Sequence, residues 1–304
     1  MRTILIGGTG RCGTNLLKNI FTNHSSVVTL PFEQRFFIDP DGIIDTYSSL
    51  KNIWSPFIAD KKIKRLEELL KEVSKDNIIH KFIGNIISQF DKKGKFITQK
   101  KYIGWELNKH FPNIQIHNKI LIDELTDFYF RGVYPGSNSY KFKNKIINNK
   151  PSTENLINVF RKYLVGLIQD LLLYHNKEFF VEDNTWNIFF GREFFELLPN
   201  SKLINIYREP SSVITSMMKQ RWCPNNYLDT KQWYESMIKY WNIVKKDLPK
   251  DFYYEVDFKD LVLLPQKTLL NICNFIEIPF EKSLLNIKFD TSKTIPKYNK
   301  EGVL

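Results

Sequence analysis

The sequence predicts a three-layer α/β/α fold around a central parallel sheet, and three observations lead there. A short apolar run at the start, Thr3-Ile4-Leu5-Ile6-Gly7, passes directly into a glycine-rich turn and then a helical pattern. Later strand-like runs alternate with helical ones, as right-handed βαβ crossovers require, and such crossovers build a parallel sheet covered on both faces. The composition, 42% hydrophobic and 25% charged, is that of an ordinary globular chain able to bury one large core. Residues 1–304 are expected to form one domain.

Each element has its own warrant. After the first strand, Asn15 to Asn23 carries Leu16, Leu17, Ile20 and Phe21 at helical spacing. Val27 to Phe32 reads as a second strand, closed by Pro31 and the charged residues beyond. Asp60 to Ser74 is an amphipathic helix with Ile63, Leu66, Leu70 and Val73 on one stripe. Residues 92–150 are basic and aromatic, broken by Gly104, Gly132 and Gly136. They are expected to be an insertion with some helix rather than a second domain. Thr153 to Tyr174 is a long helix, with Leu156, Phe160, Leu164, Leu167, Ile168 and Leu171 facing the core. Three more strands follow at Phe179 to Asp183, Lys202 to Tyr207 and Phe252 to Asp257. Helices are predicted at Gly191 to Leu198, Ser211 to Lys219 and Gln232 to Lys246, and Pro265 opens another through Ile276, at a position where proline is tolerated.

The net charge of +11, from 44 Lys and Arg against 33 Asp and Glu, favours anionic partners. A solvated basic surface accounts for it more simply, and no nucleic-acid partner is expected. Cys12, Cys223 and Cys273 are scattered and odd in number, which argues against a disulfide framework and suits a reducing compartment. No run of 18 apolar residues exists, and a strand beginning at Thr3 leaves no room for a signal peptide. These features predict a cytoplasmic protein without a membrane span. The five histidines, His24, His80, His110, His117 and His175, show no metal-ligand spacing, so no metal site is expected. His110 is a secondary candidate for a base.

The loop Gly7-Gly8-Thr9-Gly10-Arg11-Cys12-Gly13-Thr14-Asn15 lies between strand and helix, where backbone N–H groups and the helix N-terminus can cradle a phosphate or sulfate. Counted from Gly8, a Walker A loop would need Lys where Thr14 stands and Ser or Thr where Asn15 stands. The dinucleotide pattern fits Gly8, Gly10 and Gly13, but Glu33 is the one acid at a suitable distance. Farther on, Lys202 to Tyr207 ends in Arg208-Glu209-Pro210, with Ser216 eight residues after Arg208 in a helix. Arg offers a planar fork to a phosphate dianion and Ser a hydroxyl. By position, Gly8, Glu33, Asp183 with Thr185, and Arg208 follow four strands, and ligands of open parallel sheets bind beyond the carboxyl ends.

Gly10 to Leu17 resembles the 5′-phosphosulfate loop of the sulfotransferases that use 3′-phosphoadenosine 5′-phosphosulfate (PAPS), with Cys12 where that family normally has Ser. Arg208 and Ser216 resemble its 3′-phosphate motif, and Glu255 to Leu261 with Pro265 its downstream strand, acidic loop and helix. The resemblance implies the P-loop NTPase-like sulfotransferase fold, with no metal. It also implies PAPS bound by Gly10, Arg11, Cys12, Gly13, Thr14, Asn15, Arg208 and Ser216, with 3′-phosphoadenosine 5′-phosphate as product.

Arg11 matches the basic residue expected to steady the leaving phosphate. Phe32-Glu33-Gln34-Arg35-Phe36-Phe37 resembles the segment of glycan sulfotransferases that carries the base, which implies Glu33 in that role and a carbohydrate acceptor. Arg35 would help to hold an anionic acceptor or else pair with Glu33. Asp183-Asn184-Thr185 would bind cofactor or acceptor, or cap a strand end. Near the C-terminus, Ser292-Lys293 and Lys297 to Gly302 are a degraded version of the loop that closes on the 3′-phosphate. Cys12 either has a lowered pKa at the helix start or simply fills a small site. Trp105, Phe128, Tyr129, Tyr134 and Tyr140 suit ring stacking in an acceptor pocket or a local core. A P-loop kinase-like phosphotransferase and a non-catalytic polyanion-binding module are the alternative readings.

Overall fold

The computed structural model describes residues 2–74, 106–131, 143–146 and 150–286. It opens with strand β1 (Arg2–Gly7), helix α1 (Thr14–Phe21) and strand β2 (Val27–Thr29). Helices α2 (Ile43–Asn52), α3 (Pro56–Val73) and α4 (Ile114–Glu124) follow, then strands β3 (Phe128–Arg131) and β4 (Lys143–Ile146). Helix α5 (Thr153–His175), strand β5 (Phe179–Asp183), helix α6 (Gly191–Leu197), strand β6 (Lys202–Tyr207) and helix α7 (Pro210–Met217) come next. Helix α8 (Tyr227–Val244), strand β7 (Tyr253–Asp257), helix α9 (Phe258–Leu263) and helix α10 (Pro265–Ile276) complete the order.

Strands β2-β5-β1-β6-β7 form one sheet in that order, and every pairing in it is parallel. β1 lies at its centre, with Ile4 opposite Val181 on one side and Lys202 on the other. The two-residue period of a strand sorts the core into two layers. Leu5, Phe180 and Leu203 face a cluster built with α2 to α6. Ile4, Ile6, Val181, Ile204 and Ile206 face a second one, with α1, α7, α9 and α10. A helix long and apolar enough to cross a membrane is absent among the described residues.

The predicted α/β architecture is therefore the observed one, with local differences that have physical causes. The second strand stops at Thr29, because Pro31 follows and cannot donate to a ladder. α3 starts four residues earlier than the apolar stripe suggests. Ser55 caps it by accepting from the Ile58 N–H at 3.2 Å, and Pro56 takes the first turn. Asn226 does the same for α8, which begins at Tyr227 instead of residue 232. α2 went unpredicted although Ile43, Ile44, Tyr47 and Leu50 are all buried, because Thr46, Ser48 and Ser49 dilute its helical pattern. The acidic segment after β7 is a helix, capped by Asp257, not a loop.

Within 92–150 the described residues carry a short 3-10 turn (Leu107–Lys109), α4 and the antiparallel pair β3-β4. Trp105, Tyr134, Tyr140, His80 and the C-terminal stretches Ser292-Lys293 and Lys297 to Gly302 lie outside the described residues.

Candidate functional site

Because the five strands run parallel, the chain leaves each of them at the same edge, and the sequence-predicted site residues collect there. Gly10 (φ 96°), Arg11 (φ 57°) and Gly13 (φ 111°) all sit in the left-handed region, so the loop after β1 curls tightly before α1 begins at Thr14. Successive residues of this kind turn backbone N–H groups to one side, as in an anion-binding nest. The curl is held from outside. Gly8 N–H donates to the Thr185 carbonyl at 2.8 Å, tying the loop to the end of β5. A Cβ on Gly13 would stand 2.4 Å from the Phe258 ring, and one on Gly10 3.0 Å from Trp222. Neither position has room for a side chain.

Arg11 is exposed, and its Nε donates to Ser216 Oγ at 3.0 Å. Two residues 205 positions apart, taken from separate motifs, thus touch across the site. Arg208 completes the group. Its guanidinium stacks 4.9 Å over the Phe258 ring, and its buried Nε–H has no hydrogen-bond partner among the described residues. Phe258 therefore packs on Gly13 and carries Arg208 on the same ring. α7 is anchored by Glu209, whose carboxylate accepts from the N–H groups of Ser211 at 3.0 Å and Ser212 at 2.8 Å. The Ser211 hydroxyl, which also donates to it, and then those two N–H groups pull the Glu209 pKa down to about 2.

The Cys12 side chain turns away from this surface. It is fully buried, and a Cβ on Gly8 would stand 2.3 Å from its sulfur. Burial pushes the thiol up to about 11, which overturns the lowered-pKa alternative and leaves the space-filling one. Only its backbone can face a ligand. Thr14 is buried in the first turn of α1, and Asn15 beside it donates from Nδ2 to Glu33 Oε1 at 3.1 Å.

Glu33 is thus held at the helix start. Arg35 Nη1 lies 3.9 Å from its other oxygen, but Arg35 engages Asp39 more closely, at 2.9 Å, and stacks 5.2 Å over Trp186. Asp183 lies beneath, 3% exposed. Its pKa is raised from 3.8 to about 7, first by burial and then by the Glu33 charge, against the pull of Lys18. The Lys18 ammonium is 3.7 Å away, and the Lys18 and Thr14 side chains pull the pKa back down without overcoming burial. Behind it Glu182, also buried, accepts from Gln34 Nε2 at 2.9 Å and from Asn187, and burial raises its pKa as well. Asn184 is the strand-end bracket foreseen as one alternative. Its Nδ2 donates to the Gln34 carbonyl at 3.1 Å, and its Oδ1 accepts from Trp186 N–H at 3.3 Å.

The sequence reasoning missed Lys18, Phe258 and Trp222. Lys18 lies on an apolar helix face where a buried ammonium is unexpected, Trp222 carries no motif, and Phe258, inside the Glu255 to Leu261 segment, has an apolar side chain that reads as core. His110 comes near the site only through an edge contact with Phe32 at 5.2 Å, and burial lowers its pKa. Phe128 is about half exposed and far along the chain from these residues in β3. A group of acids, histidines or cysteines able to hold a metal is absent among the described residues.

Two cations, a curled glycine loop, an orphaned guanidinium N–H and a helix start fit a ligand bearing two separated anionic groups. Comparison with known proteins bears on which ligand. The model of the Sulfotransferase family matches residues 125–282, just over half of the chain. That span contains Arg208 and Ser216 but neither the Gly10–Asn15 loop nor Glu33.

Solved structures are similar as well, among them the following three. One is the sulfotransferase domain from the curacin biosynthetic pathway, at 16% identity over 93% of this chain and 76% of that one, TM-score 0.48. The second is the sulfotransferase domain of the Synechococcus PCC 7002 olefin synthase, at 15% over 97% and 81%, TM-score 0.46. The third is sulfotransferase STF1 from Mycobacterium tuberculosis H37Rv, at 12% over 93% and 69%, TM-score 0.42. No curated protein sequence matches.

Proposed function

Because the chain belongs to the sulfotransferase family, we propose that it moves a sulfuryl group from PAPS to a hydroxyl or amine acceptor, with a carbohydrate as the class suggested by the Glu33 segment. The observation that carries this reading is the contact between Arg11 and Ser216, which joins the loop after β1 to α7 beside Arg208. When bound, PAPS supplies the group transferred: the acceptor oxygen or nitrogen bonds to sulfur as the sulfur–oxygen bond to the 5′-phosphate breaks, and 3′-phosphoadenosine 5′-phosphate leaves.

The residues divide the work. The amides of Gly13 and Thr14 and the Arg11 guanidinium hold the 5′ end, where charge grows on the leaving oxygen. Arg208 and Ser216 hold the 3′-phosphate. Glu33, oriented by Asn15, takes the acceptor proton onto a carboxylate oxygen. Cys12 contributes a backbone amide, and its thiol fills the space that the missing side chain of Gly8 leaves. Thr14 and Asn15 in place of Lys and Ser or Thr disfavour the kinase-like alternative, which needs those groups for phosphate and Mg²⁺.

Calorimetric titration with 3′-phosphoadenosine 5′-phosphate, beside ATP with Mg²⁺, tests the reading. Metal-independent binding of the former is expected, weakened about 10- to 100-fold in Arg208→Ala, the loss of one or two charge-assisted hydrogen bonds. Preference for ATP with Mg²⁺ would sink it. Glu33→Gln should lower turnover by at least about 100-fold, the usual worth of a general base, while nucleotide affinity stays unchanged.

A further inference from the structure

Beside Glu33 the surface opens into a groove of about 1060 Å³. It is continuous with the site, because Arg35 and Trp186 form its near wall. Arg35 reaches to 3.9 Å from Glu33, and Trp186 meets Trp222, the ring over Gly10, with centroids 6.2 Å apart. Phe189, Phe190 and Tyr240 line the groove as well, with Phe189 and Tyr240 5.9 Å apart.

The charge on this groove runs against that of the chain. In a protein of net charge +11, the lining holds three cations, Arg35, Lys62 and Arg65, against four carboxyls, Asp39, Asp41, Asp45 and Glu193. Each cation faces a carboxylate: Arg35 meets Asp39 at 2.9 Å, Lys62 meets Asp45 at 2.7 Å, and Arg65 meets Asp41 at 3.5 Å. Capturing an anionic group here would mean breaking one of these pairs and setting the anion beside a carboxylate. The aromatic rings, by contrast, offer flat apolar surface that needs no rearrangement.

We propose that this groove seats the body of the acceptor, and that the acceptor is an uncharged ring-bearing alcohol, a phenol or the apolar face of a neutral sugar, and not a polyanionic glycan. The proposal rests on the sulfuryl-transfer reading for the meaning of the neighbouring site, but its binding chemistry can be measured alone. Arg35 is then a wall and not an anion clamp, with Asp39 bonded to its guanidinium, which lies over the Trp186 ring.

The test is saturation-transfer NMR on the full chain without nucleotide, using phenyl β-glucoside, methyl β-glucoside, 2-naphthol and a heparin-type sulfated oligosaccharide as probes. Ring-proton transfer is expected from the aryl probes and none from the sulfated one; transfer from methyl β-glucoside as well would identify a sugar face, and transfer from the aryl probes alone a phenol. Tyr240→Ala, at a half-exposed position, should weaken aryl binding about tenfold, the worth of one stacked ring. Asp41→Asn should let Arg65 accept an anion, so that the sulfated probe gains about tenfold while aryl binding holds. Asn suits the left-handed backbone there (φ 66°), so the fold should survive.

Preferential binding of the sulfated probe to the unaltered chain, or aryl binding indifferent to Tyr240→Ala, would overturn the proposal. Calorimetry with 3′-phosphoadenosine 5′-phosphate on the same sample separates the two ideas. Aryl binding without nucleotide binding keeps the groove and loses the transfer reading, and the reverse does the opposite.

Discussion

Asp183 is a carboxyl that the fold keeps from ionising easily. Its pKa of about 7 lies above the ordinary 3.8, so the folded chain holds this proton between about pH 4 and pH 7 while the unfolded chain releases it. Its contribution therefore favours folding most at low pH and declines as pH rises through that window. Urea unfolding from pH 4 to 8 should show a shallower decline in Asp183→Asn than in the unaltered protein. The readout is the slope, since the variant also leaves the Lys18 ammonium without its partner. An equal slope in both would mean that Asp183 ionises normally. Cys12 offers a second test at this scale. Buried and pushed up to about 11, it should resist iodoacetamide in the native state at pH 8, and the partly exposed Cys223 should label first. Peptide mass spectrometry decides; rapid Cys12 alkylation in folded protein would revive the activated thiol. The sequence pointed to Cys12 as unusual because of its place in the loop, but not to which way its side chain turns. That depends on the space left at Gly8, where a Cβ would meet both the Cys12 sulfur and the Ile206 carbonyl of the neighbouring strand β6.

At the level of elements, α7 matters because it carries Ser216, and Glu209 starts it. Replacing Glu209 by Ala removes two bonds to otherwise unpaired N–H groups, at a cost of about 1 kcal/mol typical of an N-cap. The expected outcome is a small loss in urea-unfolding stability with a several-fold loss of nucleotide affinity, because Ser216 loses its fixed start. Unchanged affinity would show that α7 is held by Val213, Ile214 and Met217 alone, the buried residues on its inner side. Most elements were legible from periodicity, and β5, β6 and α10 fall as their apolar patterns indicate. α2 and α9 were not, for different reasons. Polar residues interrupt the stripe of α2, and α9 is six residues long, too short to show a period. The capped starts of α3 and α8 were present as Ser55-Pro56 and Asn226, signals that the apolar stripe outweighed.

For the molecule as a whole, binding at the sheet edge should be felt globally, because the site draws on β1, β6 and the helices that follow them. A ligand at about 100 times its Kd stabilises the folded state by about 2.7 kcal/mol. 3′-Phosphoadenosine 5′-phosphate at that excess should raise Tm by differential scanning calorimetry, and higher ionic strength should shrink the rise as screening weakens its hold on Arg11 and Arg208. A Tm indifferent to the nucleotide would count against the site as a whole. The sequence by itself determined the layered α/β plan and the residue types that gather at the carboxyl edge of its sheet. Those follow from short-range pattern: period two in strands, period 3.6 in helices, glycines where the backbone must turn left-handed. Only the tertiary structure decided that Arg11 touches Ser216, that Phe258 bridges Gly13 and Arg208, that Lys18 lies beside Asp183, and that the groove lined by Arg35 and Trp186 is neutralised in a basic chain. Each of these joins residues far apart in the chain, and such pairings depend on how the layers pack, which no local pattern encodes.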